Sequence, residues 1–152
     1  MGEFEDYVTL GHQFIAIGST IKISDDIFKK IRDKHPNVRI HMFGNLNRKM
    51  LNEHKPYSAD GASWAHTASR GCIFFWDRDE EKEYKIYLGS KDKKKDDEIH
   101  YKKFEHKSKL EHFLYETFHF EYSDLIRRGS AEARQIVNLY FFKQLEDHIN
   151  NS

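Results

Sequence analysis

An aspartate that closes an extended run and enters a turn of small residues is placed to act as a nucleophile or a general base, and Asp60 stands so before Gly61-Ala62-Ser63. Two earlier extended runs end in similar loops, at Gly18-Ser19 and at Gly44-Asn45, and the second carries His41 two residues before Phe43. When such runs are consecutive strands of a parallel sheet, the loops at their carboxyl ends converge, and that is where α/β proteins keep their functional atoms. The candidate site is therefore Asp60 as the reacting carboxylate, with Gly18, Ser19, His41, Gly44, Asn45 and Ser63 as substrate-binding positions around it. His41 lies inside its strand, so its ring points either toward the strand ends or into the packing beneath them. A lone aspartate before small residues is also an ordinary turn or capping residue. Only its place on a third successive strand argues for more.

Other chemistries are poorly supplied. The chain has no Walker loop, no dinucleotide glycine fingerprint, no HExxH pair and no nucleophile elbow, so no cofactor is expected. A metal-dependent nuclease built on Asp60 and His41 needs a second carboxylate close by, and the adjacent strand ends offer none. The single cysteine, Cys72, opens an apolar run and reads as a buried structural thiol; being alone, it excludes an intramolecular disulfide and a multi-cysteine zinc site.

The elements that must position these residues follow from the hydrophobic pattern. Residues 3–11 suit a short helix interrupted by Gly11. Gln13–Ile17 is a nearly continuous apolar run, as in a parallel strand buried on both faces. Ser24 as N-cap, Asp25 and Asp26 in a first turn, and Ile27, Phe28 and Ile31 at helical spacing predict a helix that His35-Pro36 closes. Val38–Phe43 reads as a second strand, Asn45–His54 as a second helix and Tyr57–Asp60 as a third, shorter strand. This alternation predicts a parallel sheet with right-handed crossovers.

The alternation then stops. Cys72–Trp76 and Tyr84–Leu88 read as an antiparallel hairpin around the charged segment Asp77–Glu83. Residues 89–103 are rich in Lys and Asp and are expected to be a solvated loop; a nucleic-acid-binding lysine cluster is the other reading. Lys107–Phe118 carries Leu110, Phe113, Leu114 and Thr117 at helical spacing and continues after a break through Leu125-Ile126. Gly129-Ser130 separates it from a last amphipathic helix, Ala131–Ile149, with Ala133, Ile136, Val137, Tyr140, Phe141, Leu145 and Ile149 on one stripe. Phe142 lies off that stripe, so it either widens the buried face or meets a partner.

A chain of 152 residues fits one domain, here β/α units over 1–71 and a hairpin with helices over 72–152. Its 25 basic and 25 acidic residues balance, so no global field recruits nucleic acid or an anionic membrane. The acidic start and the lack of a long apolar run point to no membrane and to a cytoplasmic protein. Aromatic residues, 14% of the chain, concentrate beyond residue 72, which predicts a thick aromatic core or an adhesive surface there.

Three stretches resemble a known family. IAIGS (15–19), RIHMFGN (39–45) and YSADGASWAHTASRG (57–71) look like the closing strands of the tRNA-guanine transglycosylase barrel, above all its archaeal branch and the phage relatives that place 7-deazaguanines in DNA. NLYFFKQLE (138–146) resembles the ending of the phage-type members. The resemblance implies that Asp60 is the nucleophile attacking C1′ of a target nucleoside, that Gly61-Ala62-Ser63-Trp64 is the segment following it, and that the Gly18 turn faces the base. It makes the fold an α/β half barrel of about three parallel strands, followed by the antiparallel hairpin and C-terminal helices. The family's earlier strands, which recognise the base, have no counterpart here, so a second subunit or a homo-oligomer is implied as partner, with tRNA or DNA as substrate. Arg70, Arg48 and Lys55 become candidates to hold backbone phosphates. From another class, a non-catalytic scaffold or binding protein of viral or mobile-element origin would use the aromatic C-terminal half to homo-oligomerise.

Overall fold

Alternate residues of the second extended run face opposite ways, and this sets the architecture around the candidate site. The computed structural model describes residues 2–18, 25–44, 46–89 and 95–151. The chain divides into two units, Met1–Ala62 with Ile149–Ser152, and Ser63–His148. Helices and both parallel and antiparallel strands are present in a mixed α/β arrangement, and the described strands form two three-stranded sheets with no closed barrel.

In the first unit, helix α1 (Gly2–Thr9) precedes strand β1 (Phe14–Ile17), helix α2 (Asp25–Lys34), strand β2 (Arg39–Met42), helix α3 (Arg48–His54) and strand β3 (Ser58–Ala59). The sheet order is β1-β2-β3 with every pair parallel, in a register that sets Ala16 beside His41 and His41 beside Ser58. Ile15, Ile40 and Met42 point to one side and pack with Phe28, Ile31 and Val38 into a core. Ser24, the expected N-cap of α2, lies outside the described residues. Helix α3 starts at Arg48 rather than Asn45, because Asn47 caps it: its Oδ1 accepts from the Met50 N–H at 3.2 Å. It ends at Lys55, left-handed at φ 40°, just before Pro56.

One expectation for this sheet fails. The Phe14–Ile17 run is not buried on both faces: Phe14 is 51% exposed and only Ile15 is buried. Its continuous apolarity hid a period of two, with isoleucine inward and phenylalanine and alanine outward.

In the second unit, helix α4 (Ser63–Ser69) leads into strand β4 (Cys72–Asp77), which pairs antiparallel with strand β5 (Lys82–Tyr87), as the hairpin pattern predicted. Helix α4 was not expected. Its residues, SWAHTAS, include poor helix formers, and its packing through Thr67 and Ala68 carries it. Strand β6 (Ile99–His100) adds parallel to β5 and runs into a 3-10 turn, Tyr101–Lys103. Residues 95–103 are thus no solvated loop: Glu98, His100 and Tyr101 are buried. The rest of that expected loop, residues 90–94, lies outside the described residues.

Helices α5 (Lys107–Phe118), α6 (Tyr122–Ile126) and α7 (Ala131–Asn151) complete the chain. Leu110, Leu114, Leu125 and Val137 close over Ile73, Phe75, Tyr84 and Ile86 in the core. The stripe on α7 is rotated from the one expected. Ile136 is 47% exposed, while Asn138 is fully buried. The Asn138 Oδ1 accepts from the Phe74 N–H at 2.8 Å, and its Nδ2 donates to the carbonyls of Trp64 and Cys72 at 3.0 and 3.3 Å. Phe142 meets Phe74 edge to face at 5.4 Å and so widens the buried side of the helix. No helix of the described residues is long and apolar enough to cross a membrane.

Candidate functional site

Asp60 directly follows β3, and its backbone N–H donates to the Met42 carbonyl at 3.1 Å, which continues the parallel ladder one residue past the strand. The ladder fixes where the side chain goes. Oδ1 accepts from the Gly44 N–H at 2.7 Å. Gly44 has φ 67°, the left-handed region where glycine costs least, and that turn after β2 presents its N–H to the carboxylate. Oδ2 lies 3.8 Å from His41 Nε2, an ion-pair distance too long for a hydrogen bond. Asp60 remains 56% exposed.

His41 belongs to the open face of the sheet, since its neighbours Ile40 and Met42 take the core. This settles the two orientations open to it. Nδ1 is 2.8 Å from Ser58 Oγ, its register partner on β3. When the Ser58 hydroxyl donates to Nδ1, the Nε2–H faces Asp60. One carboxylate oxygen is thus tied by a backbone N–H, while the other is uncovered next to an imidazole. Such a group can act as a nucleophile or accept a proton. Gly61 leaves room beside it for Leu46: a Cβ there would lie 2.9 Å from Leu46 Cγ, so a side chain at 61 would make that leucine shift.

Gly18 follows β1, and the Phe43 N–H donates to the neighbouring Ile17 carbonyl at 2.9 Å, so the ends of β1, β2 and β3 bring Gly18, His41, Gly44 and Asp60 to one edge of the first unit. Ser19 and Asn45 lie outside the described residues. Ser63 opens α4 and belongs to the second unit, where its Oγ is buried without a hydrogen-bond partner among the described residues. Arg70 also belongs there, and its guanidinium pairs with the buried Glu98 carboxylate at 2.9 Å. Arg48 is the first residue of α3. Lys55 caps the end of that helix, where its carbonyl accepts from Arg32 at 2.6 Å.

Several residues of the open face were missed: Ser58, which holds His41, and the rings Phe14, Phe43 and Tyr57, which are 51, 49 and 60% exposed. The signal was there. Arg39, His41 and Phe43 alternate with Ile40 and Met42, and a period of two divides them into two faces.

In the second unit, Asp77, Glu80 and His106 bring ligand-type atoms within 4.8 Å of one another. The Lys109 ammonium already provides the positive charge, 2.7 and 2.8 Å from the two Asp77 oxygens. Its hydrogen bond holds the Asp77 carboxyl below the usual range, against burial and with help from the Glu80 and Asp79 N–H groups. Glu80 in turn accepts from Tyr84 Oη at 2.6 Å, which with burial pushes that phenol up to about 12. Burial, then Glu98, raises the Cys72 thiol to about 12, so it is an inert structural thiol.

No protein-family model, no curated protein and no solved structure matches the chain.

Proposed function

We propose that this chain is the nucleophile-bearing half of a transglycosylase-like protein, exchanging a guanine or 7-deazaguanine base in tRNA or DNA together with a partner chain. The observation that carries the reading is the posture of Asp60. At the carboxyl end of the third parallel strand, its Oδ1 is held by the Gly44 N–H, and Oδ2 is left free beside His41. The motifs around it resemble those of the transglycosylase family, and three consecutive parallel strands suit an arc of a β/α barrel.

In this mechanism Oδ2 of Asp60 attacks C1′ of the target nucleoside. A C1′–O bond forms, and the glycosidic bond breaks with its electron pair passing to the base, which takes up a proton from solvent as it leaves, balanced by the N–H proton that the incoming base gives up. The Asp60 carboxylate stabilises the positive charge that develops on the sugar. A second base then attacks C1′ and releases the carboxylate. Gly18, Ser19, His41, Gly44 and Asn45 would line the substrate, and Arg48 and Lys55 are the candidates for phosphate contacts; Ser63, in the second unit with its Oγ buried, is not among them. Arg70 is a weaker one, given its pairing with Glu98. The residues that select the base would come from the partner, a second subunit or another copy, in the cytoplasm. Asp60→Asn is expected to abolish covalent trapping of nucleic acid by the chain in the presence of its partner; trapping that persists removes Asp60 from the chemistry.

A second reading is favoured by Ile136 and Leu139, which are 47 and 46% exposed one turn apart on α7. In it the chain is a non-catalytic scaffold that self-associates through its aromatic C-terminal half. Light scattering separates the two, because a stable homodimer with no affinity for nucleic acid or guanine analogues supports the scaffold.

A further inference from the structure

The open face of the first sheet carries a row of rings that the attack by Asp60 does not use. Tyr57 meets Phe14 edge to face at 5.6 Å, Phe14 lies 6.4 Å from His41, and His41 is 4.5 Å from Phe43. A parallel sheet ordinarily has both faces covered, and half-exposed rings in a line mark a surface that something occupies. The charge on that surface narrows the choice. The Arg39 guanidinium lies 5.1 Å from the centre of the Tyr57 ring, is exposed, and forms no ion pair among the described residues. Lys55, also exposed, stands two residues before Tyr57. Asp60 is three residues beyond Tyr57, roughly 10 Å along an extended chain. The amino ends of the strands are therefore aromatic and positive, and the reacting carboxylate lies at the other end.

Exposed rings beside an unpaired guanidinium are what unpaired nucleic acid requires, since bases stack on the rings and the cation meets a phosphate. We infer that a single-stranded segment lies along the strands, with bases on Tyr57 and Phe14, a phosphate on Arg39 and the target nucleoside reaching Asp60. This rests on the reading of Asp60 for its substrate, and it places the partner chain at the strand ends, since a partner that closed a barrel over this face would fill it with side chains. A duplex keeps its bases stacked on one another and cannot use the rings.

The test is titration of the full chain with a short fluorescent oligonucleotide, single-stranded and then annealed to its complement. The single strand is expected to bind more tightly than the duplex. Tyr57→Ala and Phe14→Ala are each expected to weaken it about tenfold, and Phe14→Tyr to retain it. Arg39→Ala is expected to reduce the slope of log affinity against log salt by about 0.7. No binding by the unmodified chain, a preference for duplex, or affinity unchanged by the ring substitutions overturns the inference. So does a homodimer that the same substitutions dissociate, because a second copy then covers the face. Asp60→Asn keeps the two ideas apart. Ring-dependent binding with no adduct trapped when the partner chain is added removes the nucleophile reading and leaves the stacking face, whereas Asp60-dependent trapping with ring-independent binding does the reverse.

Discussion

The two units treat their polar and apolar groups in opposite ways. In the second, most buried polar side chains pair across elements, the Ser63 Oγ excepted: Asn138 bridges β4 and α4 to α7, Asp77 closes the β4–β5 turn onto Lys109, and Glu98 pairs with Arg70 and Lys85. In the first, one sheet face is packed on α2 while the other leaves Phe14, Phe43, Tyr57 and Asp60 about half exposed. Large rings in water contribute little to folding, so the open face is the part of this unit left available to a ligand or partner, with Asp60 at the carboxyl ends of the same strands. The second unit reads as a stable body, the first as a scaffold for an uncovered surface.

Substitutions can sharpen or break this contrast. The largest effect on stability is expected from Asn138→Ala, which leaves the Phe74 N–H and the Trp64 and Cys72 carbonyls without their partner. It should cost about 2–4 kcal/mol in urea unfolding followed by circular dichroism. A loss within about 0.5 kcal/mol would mean the second unit does not depend on its polar clips.

Acid should act next. The Asp77 carboxyl is held low by its hydrogen bond to Lys109. At Glu98 burial pushes upward, but the Lys95 N–H, the Cys72 thiol, Lys85 and Arg70 together bring the carboxyl below its ordinary value. A carboxyl lowered in the folded state binds fewer protons there than when unfolded, so its contribution is present above the unfolded value and disappears as pH falls through the folded one. Stability is expected to decline below about pH 4, and Asp77→Asn to flatten that decline. Acid unfolding unchanged in Asp77→Asn would exclude the Asp77–Lys109 pair as a source.

The smallest effect is expected on the open face. Tyr57→Ser and Phe43→Ser should each cost only about 1 kcal/mol, because each ring is already about half in water. A loss as large as that of Asn138→Ala would show the face to be part of a core.

How far the sequence could be read follows the same division. The strand–helix alternation over 13–60, the hairpin and two C-terminal helical segments, the first with a break that the structure resolves into α5 and α6, were visible, because apolar spacing and turn residues act locally. Strand β6 was not, since two residues in a Lys/Asp-rich stretch carry no periodicity; long-range pairs of Glu98 with Arg70 and Lys85 hold it in place. Asn138 was invisible for a related reason: a buried asparagine needs three partners from distant segments, and the hydrophobic stripe on α7 could not reveal them. At the candidate site, Asp60, His41 and Gly44 were legible from strand ends and a glycine turn. The outward rings of β1 and β2 follow from a period of two within each run, whereas the pairing of Ser58 with His41 depends on register between strands, which no single segment specifies.

The central claim is that Asp60 attacks a glycosidic carbon. The most direct measurement is a denaturing gel of the chain incubated with labelled tRNA and DNA and the proposed partner subunit, comparing the unmodified protein with Asp60→Asn. The account predicts a slowly migrating covalent adduct that vanishes on Asp60→Asn while circular dichroism stays the same. An adduct of equal yield in both proteins would contradict it.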